Sequence, residues 1–317
     1  MYYLGIDLGG TNIAVGVVDE NSKILAKAKK RTRVPCAPED LCEQLASTAF
    51  EALDKAKITI NDIPWVGVGT PGTVNRASGV VEFANNLYLN NYPLRELLEA
   101  RMNKKVIVEN DANAAAYGEY QAGALKGVTN GLAITLGTGI GSGIIIDGKI
   151  YAGSNFAAGE MGHTVIVYNG RHCTCGRNGC WEVYASATGL ITTTKEAMRK
   201  TDDHKSQIWT LVGDNLDNVN GRTAFDAMRA GDPIGQAVVD EYISYLGCGL
   251  TNCINTFQPD ILCIGGGICN EGETLLKPLR EYIAHESYTI NTAKKTILCT
   301  AQLGNDAGII GAALIGK

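Results

Sequence analysis

The stretch HCTCGRNGC, residues 172 to 180, gathers three of the chain's ten cysteines and one of its four histidines. With His163 counted in, the pattern is H-x9-C-x-C-x4-C, and its three sulfurs and one imidazole suit a tetrahedral Zn2+ site. His172 offers a rival nitrogen, although a ligand adjacent to Cys173 is hard to place at a separate corner of a tetrahedron. C-x-C is less diagnostic than paired C-x-x-C motifs, so the residues alone leave zinc standing beside coincidence. A redox pair fits less well, since a catalytic dithiol wants C-x-x-C at a helix N-terminus and the cluster shows neither.

A second kind of chemistry is carried by glycine. LGIDLGGTNIAVGVVD (4 to 19) and LAITLGTGIGSGIIID (132 to 147) align at a constant offset of 128. Each reads as a β-hairpin whose bare turn lets backbone N–H groups approach an anion, and two such turns could hold a polyphosphate. Two ordinary hairpins are the alternative. ILCIGGGICNEG, 261 to 272, adds a strand entering three glycines and a helix start.

KVIVENDANAAAYGEY, 105 to 120, is an apolar strand that stops at Glu-Asn-Asp and continues into an alanine-rich helix. That places polar side chains at a strand's carboxyl end, where open α/β sheets bind ligands. Asp111 is there a candidate general base or a helix cap, and Asn113 is the better cap candidate. Asp7 is the carboxylate of the first hairpin, where the second has Thr135.

Positioning these residues takes an α/β scaffold with mixed sheets. Helices are expected over 40 to 56, 93 to 103, 186 to 200 and 234 to 257, and a strand entering a Pro-Gly turn over 65 to 74. The small residues of 303 to 317 predict a terminal helix packed closely against the first helix or across a hinge. The polar stretch 201 to 223 is expected to be a surface excursion without chemistry. A length of 317 favours two lobes, and 45% hydrophobic with 19% charged residues describes an ordinary soluble globular protein.

A net charge of -5, with KAKKRTR at 27 to 33 the one short basic run, disfavours nucleic-acid binding. No charged leader with an apolar core and no run of about 18 apolar residues is present, which predicts a cytoplasmic protein without a membrane partner. Thiols there stay reduced, so Cys36, Cys42, Cys248, Cys253, Cys263, Cys269 and Cys299 are expected to serve as small apolar residues.

The ordered set DLGGTN (7 to 12), PG (71 to 72), ENDANAAA (109 to 116), LGTGIGSG (136 to 143), GEMGH (159 to 163), CTCGRNGCWE (173 to 182) and IGGGI (264 to 268) resembles the ROK family of sugar kinases and repressors, especially its bacterial glucokinases. The resemblance covers essentially the whole chain, and seven motifs in the family's order make it specific. It implies the actin-like ATPase (ribonuclease H-like) fold: two related α/β lobes with a ligand cleft between them. The lobes are expected at 1 to 110 plus about 303 to 317 for the smaller, and 111 to 302 for the larger with the zinc motif. ROK repressors carry an additional N-terminal helix-turn-helix, for which a hairpin starting at residue 4 leaves no room, so an enzyme is expected rather than a regulator.

What the resemblance implies about residues is detailed. Asp111 would be the catalytic base in ATP-dependent phosphorylation of a hexose 6-hydroxyl, with glucose as the expected sugar and an N-acetylhexosamine as the alternative; a silent sugar sensor is the reading from another class. Gly72, Asn85, Asn110, Asp111, Glu160, His163 and Glu182 would surround the sugar. Asp7 would hold Mg2+ through water, Gly9, Gly10, Thr11, Gly137, Thr138 and Gly139 would meet the phosphates of ATP, and Gly265 and Gly266 its adenosine end. His163, Cys173, Cys175 and Cys180 would hold a closed, structural Zn2+ that orients the acceptor pocket. Tyr88 and Leu89 stand where many family glucokinases have Gly-Trp. A homodimer or homotetramer is the family's habit, and the apolar helix 234 to 257 offers a contact face.

Overall fold

The computed structural model describes residues 1 to 201, 204 to 289 and 291 to 317. The chain divides into two compact units, Met1–Ala133 with Ser142–Gly159 and Ala301–Lys317, and Ile134–Gly141 with Glu160–Thr300.

The first unit opens with β1 (Tyr2–Leu8), β2 (Asn12–Asp19) and β3 (Ile24–Arg31), then α1 (Pro38–Ala56), β4 (Val66–Thr70), β5 (Thr73–Asn75), β6 (Val80–Ala84), β7 (Leu89–Tyr92), α2 (Leu94–Met102), β8 (Val106–Asn110) and α3 (Asp111–Ala122). Its main sheet has the order β3-β2-β1-β4-β8, and β5-β6-β7 form a small antiparallel sheet. β1, β4 and β8 run parallel, so Asp7, Thr70 and Asn110 all arrive at strand carboxyl ends. α1 starts at Pro38 with Glu39 and Asp40 in its first turn, favourable to the helix dipole. Its Leu41, Leu45, Ala49, Ala52 and Leu53 fall on one helical face and are buried against the sheet core.

The glycine hairpins form as the repeat predicts. β9 (Gly131–Leu136) and β10 (Ile140–Ile146) repeat the β1–β2 frame, followed by β11 (Lys149–Ile150). The second unit carries α4 (Glu182–Ala185), α5 (Ala187–Thr201), α6 (Gln207–Leu211), α7 (Thr223–Arg229), α8 (Pro233–Phe257), β12 (Ile261–Gly265), α9 (Glu273–Glu286) and β13 (Ile297–Thr300). The second sheet has the order β11-β10-β9-β12-β13. The last helix, α10 (Ala307–Leu314), returns to the first unit.

Four expectations need correction. The terminal helix packs against α3 and the first sheet, not against α1: a Cβ on Gly67 would lie 1.7 Å from the Ala312 carbonyl oxygen, one on Gly5 2.0 Å from that of Ile309, and one on Gly311 1.7 Å from that of Ala114. With α3 locked to α10 in this way, residues 111 to 133 side with the first unit rather than with the larger lobe expected from 111, and so do residues 142 to 159.

The stretch 201 to 223, of which 202 and 203 lie outside the described residues, is not purely superficial. α6 buries Ile208 and Trp209, and the Ile208 amide donates to buried Asp232, whose other oxygen caps α8. Finally, Cys36 is exposed, while Cys42, Cys253 and Cys263 are buried as small apolar residues should be.

The apolar face of α8 is largely spent inside its own unit, where Val238, Val239, Tyr242, Leu246, Leu250 and Cys253 are buried. No described helix is long and apolar enough to cross a membrane.

Candidate active site and metal centre

In the first unit the predicted catalytic segment sits where the strand ends. Asn110, not Asn113, caps α3: its Oδ1 accepts from the amides of Ala112 (2.9 Å) and Asn113 (3.1 Å), while its Nδ2 donates to the Gly72 carbonyl (3.2 Å). Capping by Asn110 leaves Asp111 as the first helical residue, and its Oδ1 accepts from the Ala112 amide at 2.9 Å. Burial pushes the Asp111 carboxyl above its ordinary range. Asp7, at the end of β1, is raised to about 6, first by burial and then by the charge of Asp111. Two neighbouring acids in a half-dry setting make a natural cation site, because a positive ion relieves both desolvation and repulsion.

Gly72 connects Asn110 to the small sheet. Its φ of 94° and a hypothetical Cβ only 2.1 Å from the Phe83 carbonyl oxygen admit no other residue. Asn85 opens a short 3-10 turn, Asn85–Leu87, and is exposed. The neighbouring Asn86 abuts the first glycine turn, its carbonyl oxygen 3.2 Å from where a Gly10 Cβ would stand. Tyr88 follows in the left-handed region at φ 57°. The backbone conformation that a glycine adopts freely is thus kept here by a tyrosine, with its ring exposed.

One element of this region escaped the sequence reading. Glu109 is 1% exposed, pairs with Arg76 Nε at 2.6 Å, and accepts from the Asn110 amide (2.9 Å) and Asn113 Nδ2 (3.0 Å). Burial raises its carboxyl, opposed by Arg76. The signal was present as an acid closing an otherwise apolar strand, but its partner comes from the β5–β6 turn and no local pattern names it.

In the second unit the turn Gly137–Gly139 is covered by Glu182. Glu182 Oε2 accepts from the Ile140 amide at 2.8 Å, and a Cβ on Gly139 would fall 2.2 Å from that oxygen. The resemblance placed Glu182 at the sugar; in the structure it braces the second hairpin. Gly266, at φ 111°, lies against Leu136, whose carbonyl oxygen would be 2.0 Å from a Cβ, so chain packing already demands glycine there. Gly265 ends β12 beside it.

The metal set assembles as a group. Ligand atoms of His163, Cys173, Cys175 and Cys180 all lie within 4.8 Å of one another. Cys173 Sγ is 3.7 Å from His163 Nδ1 and Cys175 Sγ is 3.7 Å from Cys180 Sγ. A tetrahedron with Zn–S bonds of about 2.3 Å has edges of about 3.8 Å, so the spacing fits the ion. His172 faces Asn178 instead and is not in the set.

The loop also places acids. His163 closes a 3-10 turn whose first flank is exposed Glu160, and the His163 amide donates to the Glu160 carbonyl. Cys180 is followed by fully buried Trp181, whose indole N–H donates to the Tyr245 carbonyl (2.9 Å), and then by Glu182.

Duplicated glycine hairpins on two five-stranded sheets are the frame of the actin-like ATPase fold, shared with ROK sugar kinases. The chain belongs to the ROK family, whose profile matches residues 3–317. It is 39% identical over 314 residues to a glucokinase of Streptomyces coelicolor, covering 99% of this chain and 97% of that protein. A glucokinase of Thermotoga maritima is 39% identical over 316 residues, covering 99% and 96%. The ROK family glucokinase from Streptomyces griseus, solved in complex with glucose and AMPPNP, matches with a TM-score of 0.81 at 36% identity over 99% of each chain.

Proposed function

We infer that this chain transfers the γ-phosphoryl group of ATP to the 6-hydroxyl of glucose, giving ADP and glucose 6-phosphate. The observation that carries the reading is Asp111: a carboxylate at a strand's carboxyl end, raised by burial, fixed by an Asn110 cap and beside Asp7. Near-full-length likeness to glucokinases supports the sugar and the donor.

Asp111 accepts the hydroxyl proton as the oxygen attacks phosphorus, and the raised pKa brings the base nearer to working pH. Gly72, Asn85, Asn110, Glu160, His163 and Glu182 are the residues that bind the sugar. Gly9, Gly10 and Thr11, then Gly137, Thr138 and Gly139, present N–H groups to the phosphates, with Gly265 and Gly266 at the adenosine end. Asp7 is the residue that would hold Mg2+, which supplies neutralising charge on the phosphate oxygens. Zinc on His163, Cys173, Cys175 and Cys180 would supply structure only, since four protein ligands close its coordination. The same reading takes the protein to work in the cytoplasm as a homodimer or homotetramer, which light scattering tests.

ADP formation with Mg-ATP across glucose, mannose, N-acetylglucosamine, N-acetylmannosamine and fructose, against a blank without sugar, is the decisive assay. Glucose should be preferred. Preference for an acetylated sugar would move the pocket assignment to the N-acetylhexosamine alternative, and silence with every sugar would overturn the enzyme reading in favour of a sensor.

A further inference from the structure

The two phosphate turns share a device that their sequences do not advertise. In the first, Thr32 Oγ1 donates to the Gly9 carbonyl at 2.7 Å and the Thr32 amide to the Thr11 carbonyl at 2.9 Å. In the second, Thr188 Oγ1 donates to the Thr138 carbonyl at 2.8 Å and the Ala187 amide to the Gly137 carbonyl at 2.9 Å. Each turn therefore has two carbonyls held by one threonine hydroxyl and one backbone N–H.

A trans peptide unit points its C=O and N–H in opposite directions. Tying down the carbonyls of Gly9, Gly137 and Thr138 thus aims the amides of Gly10, Thr138 and Gly139 the other way. Among the described residues none of those three amides has a protein acceptor, whereas the Gly9 and Gly137 amides close their own turns. An untethered carbonyl could instead rotate toward a phosphate and repel it.

We propose that Thr32 and Thr188 are positioning residues for the nucleotide: each hydroxyl restrains a turn carbonyl so that the adjoining N–H faces a phosphate oxygen. The proposal rests on the kinase reading above. Thr32 is 7% exposed and Thr188 is exposed, so the first is the stronger restraint.

The test is Thr32→Val and Thr188→Val, each beside its serine counterpart, with steady-state kinetics and calorimetric binding of MgADP and of glucose. Loss of one such bond, worth about 1 kcal/mol, should raise KM for MgATP and weaken MgADP by about five- to tenfold in T32V and by about threefold in T188V. Glucose affinity stays within twofold, and both serine variants recover parental values because the hydroxyl is kept. MgADP binding within twofold of the parent in T32V, or a T32S as impaired as T32V, would overturn the proposal. Should T32V not fold, T188V against T188S decides by the same comparison. A parent that makes no ADP with any sugar condemns the kinase reading, whereas parental turnover with unchanged nucleotide binding in the variants condemns this one.

Discussion

The two glycine hairpins have the same strand–turn–strand frame but obtain their acids differently. In the first, Asp7 belongs to the hairpin itself, with Asp111 near enough to raise its pKa. In the second, the matching position is Thr135, and the carboxylate is Glu182, lent by the start of α4 and tied to the Ile140 amide. A backbone can be duplicated without duplicating its chemistry: one copy keeps acids raised by burial, the other keeps an acid already satisfied by a hydrogen bond. The first arrangement suits proton and cation handling and the second suits holding a turn in shape.

The sharpest way to break this contrast is Asp111→Ala. If the first unit carries the proton chemistry, kcat should fall by about 10²- to 10⁴-fold while glucose binding by calorimetry survives. Near-parental turnover would remove the distinction between the two acid sets.

Asp7→Asn probes the same unit through stability. The native pKa of about 6 lies above the ordinary 3.8, so the folded state binds this proton more tightly than the unfolded one. The stabilisation is complete below about pH 4 and is lost as pH rises through 6. In the absence of nucleotide and Mg2+, the asparagine variant should therefore be more stable than the parent at pH 8, by up to about 3 kcal/mol, with the gap closing by pH 4. Thermal unfolding of both proteins across that range measures it, and a gap independent of pH would contradict the assignment.

Cys175→Ser tests whether the lent acid depends on the metal loop. Zinc content by elemental analysis should fall below one per chain, with metal affinity weakened by at least the roughly 10- to 100-fold that even outer partners of a metal site contribute. Glucose affinity should drop with it, because His163 and Glu182 flank the same loop. The smallest effect on nucleotide binding is expected from Glu182→Gln. The amide oxygen still accepts from Ile140, so KM for MgATP should change by less than about threefold, within the worth of a neutral-for-charged acceptor.

Much of this was legible in the sequence for a physical reason. Glycine turns, an apolar strand stopping at polar residues and clustered sulfurs are local patterns; the hairpins and Asp111 at a strand end follow from them directly, whereas the choice of His163 over His172 beside the three cysteines leaned on the family resemblance. What was missed is non-local. The Asn110 cap displaces Asn113 because the helix starts at Asp111, directly after the strand and ahead of the alanine run. Arg76 reaches Glu109 from the β5–β6 turn, and Ile208 finds the buried Asp232 from within a polar stretch. The destination of the terminal helix depends on glycines more than 200 residues upstream, whose missing Cβ atoms are visible in sequence only as glycine.

That terminal helix bears on how the protein is made. Residues 301 to 317 complete a unit whose other parts lie within the first 159 residues, and α10 sits against the backbone of β1 and β4. On the ribosome the earliest strands emerge without the helix that covers them and must wait while the whole second unit is synthesised. The first unit is begun first and finished last, so its exposed sheet face is the surface for a chaperone to shield during translation.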